Sequence, residues 1–70
     1  MQTRTELLNN IKKEYADWIK YGAVFETPDE EDGDVELVLD EKDVRVWLDY
    51  EFGTIFIDGL TKDEQKYIRR

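Results

Sequence analysis

Residues 35–58 read VELVLDEKDVRVWLDYEFGTIFID, and three runs within this stretch decide the fold. Val35, Leu37 and Leu39 alternate with Glu36, Val38 and Asp40. Val44, Val46 and Leu48 alternate with Arg45, Trp47 and Asp49, and Ile55 and Ile57 alternate with Thr54, Phe56 and Asp58. A period of two is the signature of half-buried strands. The connections are short. Residues 40–43 are expected to form the first turn, and Phe52-Gly53 the second, where glycine can take a positive φ. A β-meander follows. Pairing Leu39 with Val44 gathers the aliphatic side chains on one face, and a slip of one residue would scatter them.

Upstream, Leu7, Leu8, Ile11, Tyr15, Trp18 and Ile19 recur at spacings of three and four, which predicts an amphipathic helix over residues 5–21. Thr3 with Glu6 fits a capping box at its start, and Gly22 stands where a helix-ending residue belongs. Ala23 to Thr27 favours a short first strand, closed by Pro28. Residues 28–34, PDEEDGD, have no apolar member and read as an exposed loop. Downstream, Thr61-Lys62-Asp63-Glu64 is a second capping box, opening a short helix through Arg70 with Leu60, Glu64, Tyr67 and Ile68 along one side.

The expected fold is therefore α+β, a small single domain over residues 1–70. It is an antiparallel three- or four-stranded β-meander with an N-terminal and a short C-terminal helix packed on one face. The element order is α-β-β-β-β-α, or α-β-β-β-α if the first strand is a loop. That order resembles the double-stranded RNA-binding domain in topology. That module needs basic residues near its second helix and in a loop between strands, whereas this chain places acids in its loops. The likeness implies nothing about activity.

Charge is unevenly distributed. Residues 1–22 carry a net +1, residues 23–59 a net −11 and residues 60–70 a net +2, giving −8 over the 70 residues. The charged fraction of 40% is well above the ~25% of an average domain. An acidic chain repels nucleic acid and anionic membranes, so the expected partner is a basic protein, including a nucleic-acid-binding enzyme. No apolar run is long enough to span a membrane, and the default location is cytoplasmic. The chain has no His, Cys or Ser. A general base suited to neutral pH and the usual nucleophiles are missing, which points away from an enzyme. The four glycines stand singly at element ends rather than in a phosphate-binding loop. No cofactor is expected. The acidic loop fails the helix-loop-helix calcium pattern, because with Gly33 at the sixth position Pro28 and Leu39 fall at the first and twelfth.

With the aliphatic face given to the helices, the opposite face should carry Glu36, Val38, Asp40, Arg45, Trp47, Asp49, Thr54, Phe56 and Asp58. Val38, Trp47 and Phe56 would form an apolar centre ringed by carboxylates, the anatomy of a protein-binding hot spot. The candidate partner-binding residues are Trp47 and Phe56 as anchors, with Glu36, Asp40, Asp49 and Asp58 and the loop acids Asp29, Glu30, Glu31, Asp32 and Asp34 as charge. The expected function is a small acidic protein-binding module. In its stronger form it is a DNA mimic, an inhibitor that blocks a basic nucleic-acid-binding site, similar in size and charge to phage-encoded inhibitors. A homodimer or larger assembly through the outer sheet face is the rival, and an immunity protein or antitoxin a third reading.

Overall fold

The computed structural model describes residues 3–29 and 34–69. Three helices and four strands follow in the order α1 (Arg4–Glu14), α2 (Ala16–Gly22), β1 (Ala23–Val24), β2 (Val35–Glu41), β3 (Val44–Asp49), β4 (Thr54–Asp58) and α3 (Lys62–Arg69). The α+β class and the central meander are as the alternation predicts.

Four features differ from expectation. The single helix over residues 5–21 is two, because Tyr15 leaves helical geometry at φ −112°, ψ 21°. No Pro or Gly marks the break. It turns Tyr15, Trp18 and Ile19 onto the same core that Leu7, Leu8 and Ile11 fill. The sheet is also mixed rather than antiparallel. Its order is β1-β4-β3-β2, and β1, only two residues long, runs parallel to β4. Parallel pairing needs a long connection, and the one between β1 and β4 contains β2 and β3.

The third difference is the first turn. Glu41 pairs with Val44 and Leu39 with Val46, so the hairpin loop is Lys42-Asp43 alone. Both residues take positive φ, 51° and 64°. This suits the right-handed twist of two-residue hairpins but is costly for side-chain-bearing residues. The two-residue shift from the expected Leu39–Val44 pairing keeps the same side chains on the same face.

The fourth difference changes the faces themselves. The β2–β3 register shifts between Leu37 and Leu39, a β-bulge at Val38. Beyond it Leu37 lies opposite Trp47 and Glu36 opposite Leu48. A bulge inserts one residue and so reverses which face the following side chains occupy. Val38 accordingly packs against the core, while Leu37 is 47% exposed. The expectations that Leu37 is buried and that Val38 and Glu36 stand on the outer face are both corrected.

The core lies between the helices and one sheet face. Leu7, Leu8 and Ile11 of α1 and Ile68 of α3 meet Val44, Val46, Leu48, Ile55 and Ile57. Burying an aliphatic side chain stabilises by roughly 1.5–3 kcal/mol, so this layer carries most of the fold's stability. The starts of α1 and α3 are capped. The Thr3 hydroxyl accepts from the Glu6 amide, and the Thr61 hydroxyl accepts from the Glu64 amide while the Glu64 carboxylate accepts from the Thr61 amide.

Candidate docking surfaces

The outer sheet face carries an apolar row one residue deep. Val24 pairs with Phe56, Phe56 with Trp47 and Trp47 with Leu37, so four apolar side chains cross all four strands. None belongs to the buried core. The row replaces the expected Val38-Trp47-Phe56 patch. Its carboxylate ring is thinner than expected. Asp40 and Asp58 lie opposite Arg45 on either side, and Arg45 Nε is 3.7 Å from Asp40. Glu36 is turned away by the bulge. Asp49 is 5% exposed, and its carboxylate accepts from the amides of Glu51 and Phe52 at 3.0 and 3.2 Å. It shapes the β3–β4 turn and offers no charge to a partner. Of the loop acids, Asp29 and Asp34 are exposed, and Glu30, Glu31 and Asp32 lie outside the described residues.

A second surface lies at one end of the sheet. The β3–β4 loop, Tyr50 to Gly53, closes with the Gly53 amide donating to the Asp49 carbonyl. Around it Tyr21 is 83% exposed, Phe52 75% and Tyr50 56%. With Leu37 these are the exposed large apolar side chains of the described residues. Trp18 meets Tyr50 edge to face at 5.7 Å. The neighbouring Glu36 carboxylate holds the Tyr50 phenol above its ordinary pKa. Asp17, Trp18, Tyr21 and Gly53 line a cleft of about 220 Å³ here. Exposed aromatics therefore cluster beside the carboxylates of Asp17, Glu36 and Glu51. Sequence reasoning placed the anchor on the sheet face and missed this end. A signal was present, since Tyr50 and Phe52 are large apolar residues in a turn, where polar ones are usual.

The opposite end is closed by Arg4. Its guanidinium donates to both carboxylate oxygens of Glu64 at 2.7 and 2.9 Å, to the Lys42 carbonyl at 2.9 Å and to the Gly59 carbonyl at 2.8 Å. It thus joins the start of α1, the Lys42-Asp43 turn, the β4–α3 connection and the cap of α3. The Arg4 hydrogen bonds hold the Glu64 pKa down at about 2, against an ordinary 4.5. Gly59, at φ +94°, packs against the same turn, and a Cβ there would lie 2.0 Å from the Asp43 carbonyl oxygen.

A third feature is a groove of about 270 Å³ between α1, α2 and α3, lined by Lys12, Lys20 and Arg69 over Ala16, Ile19 and Ile68. Lys12 stacks on Tyr67 and Arg69 on Phe25, each at 4.7 Å. The cations of this groove thus lie on the helices, away from the Tyr50–Gly53 loop. Among the described residues no group of three or more Asp or Glu is placed to hold a metal ion, and no helix is long and apolar enough to cross a membrane. The chain matches no protein-family model, no curated protein and no solved structure.

Proposed function

We propose that this protein is an acidic protein-binding module that docks on a basic protein through the Tyr21-Tyr50-Phe52 end. One observation carries the reading: three exposed aromatic side chains, Tyr21, Tyr50 and Phe52, lie at one end of the sheet near Asp17, Glu36 and Glu51. Aromatic anchors with a charged rim characterise interface hot spots. The net charge of −8 attracts basic partners to the protein. The absence of His, Ser and Cys supports a binding role over a catalytic one. The narrower reading, in which carboxylates stand in for phosphates in a nucleic-acid groove, draws its support from total charge. On the sheet face the aligned carboxylates flank an arginine.

The test is affinity capture from host lysate at low and high salt, with native protein and Phe52→Ala as baits. The expected result is one basic protein, retained by the native bait, released by salt and missed by Phe52→Ala. Retention by both baits, or none by either, overturns the reading.

The row Leu37-Trp47-Phe56-Val24 favours a second reading, self-association through the outer face. Sedimentation distinguishes the two. A dimer that survives high salt and dissociates on Trp47→Ala supports assembly, and a salt-independent monomer counts against it.

A further inference from the structure

We infer that the cleft between α2 and the β3–β4 loop receives a cationic side chain, a lysine or arginine of the partner. The inference rests on the reading of that partner as basic and names the residue it inserts. Asp17, Trp18, Tyr21 and Gly53 line it, and the lining is almost wholly apolar. An aromatic face attracts a cation through its quadrupole, most strongly for tryptophan, and a carboxylate beside it adds Coulomb attraction. The cleft is open at Gly53, which has no heavy atom within 4 Å of where a Cβ would stand.

Trp18 is held before any ligand arrives. Trp18 rests edge to face, at 89°, against Tyr50. Preorganisation of this kind lowers the ordering cost of binding. The long aliphatic stem of lysine or arginine suits this apolar lining, and Asp17 is the one carboxylate-bearing residue among those that line it.

The chain already uses this chemistry twice, with Lys12 over Tyr67 and Arg69 over Phe25. Among the described residues no cation of the chain's own stands over Trp18 or Tyr21. Lys20, on the same helix, lines the groove on the other side. The cleft is thus a cation-binding surface that lacks an internal cation, in a protein of net charge −8.

The test uses small probes and needs no knowledge of the partner. Nα-acetyl-lysinamide, its arginine counterpart and the neutral isostere Nα-acetyl-norleucinamide are titrated into the full chain. The two indole N–H resonances are followed by heteronuclear NMR, with Trp47 as internal reference. The expected result is a saturable shift of the Trp18 signal with the lysine and arginine probes, weaker by at least about tenfold with norleucine, and no shift of Trp47. Tyr21→Ala should abolish the shift, and Asp17→Asn should weaken it several-fold at low salt. Tyr21 is 83% exposed, so its variant should keep the native spectrum elsewhere. Equal response to norleucine, parallel movement of both indoles, an unmoved Trp18 signal or full binding by both variants overturns the inference. Cation binding without a captured basic protein would overturn the proposed function alone. A captured protein with no cation response would overturn this inference alone.

Discussion

The Lys42-Asp43 turn and the Tyr50–Gly53 loop are neighbouring connections of one meander, at opposite ends of one sheet, and they are treated in opposite ways. At the first, backbone strain at two positive-φ residues is met by the guanidinium of Arg4, by Gly59 packed on the turn and by the capped start of α3. The Arg4 charge there is paired with Glu64. At the second, the turn is stabilised locally by Asp49, and Tyr50 and Phe52 stand exposed near Tyr21. The closed end fixes the register of the sheet. The open end is free to vary its side chains without altering the fold, which is the condition for a recognition surface on a small domain.

The contrast is broken most strongly by Gly59→Ala. The new Cβ would overlap the Asp43 carbonyl at a φ that favours glycine, so a loss of about 3 kcal/mol or more is expected in urea unfolding. Arg4→Ala comes next, at about 2–3 kcal/mol, because it leaves a part-buried carboxylate and two carbonyls without their donor. The same pair gives a pH dependence. The folded pKa of Glu64 lies near 2 and its ordinary value at 4.5, so the stability it contributes is fully present above about pH 4.5 and is lost as pH falls toward 2. Unfolding measured at pH 7, 4 and 2.5 should show this loss in the native protein and a flatter profile in Arg4→Met.

Smaller effects sharpen the picture of the bulge. Val38→Ala should cost about 1–2 kcal/mol and Leu37→Ala less than about 1, since the bulge puts Val38 on the core and Leu37 in solvent. The reverse order would place the bulge elsewhere. Asp43→Gly should raise stability by about 1 kcal/mol, because glycine takes the positive φ of the turn without penalty.

These residues also show what the chain discloses and what it withholds. Alternation in 35–58 was enough to place three strands and their shared core face, because burial on one side enforces a period of two. The two capping boxes marked helix starts to within a residue. The bulge was hidden, because Leu37-Val38-Leu39 is apolar throughout and satisfies either phase. The parallel β1–β4 pair was hidden too, since a two-residue strand has no period. Arg4 could not be assigned, because its partners, Lys42, Gly59 and Glu64, are distant in sequence and converge only in the fold. The aromatic end was half legible, with Tyr50 and Phe52 conspicuous in a turn, but their meeting with Trp18 and Tyr21 depended on the break at Tyr15.

The most direct measurement pairs unfolding with binding on one preparation of the double variant Tyr21→Ala/Phe52→Ala. If the open end serves recognition and not folding, its urea midpoint stays within the equivalent of about 0.5 kcal/mol of native while retention of the basic partner is lost. A midpoint lowered as far as in Arg4→Ala, or undiminished retention of the partner, would contradict the division of labour between the two ends.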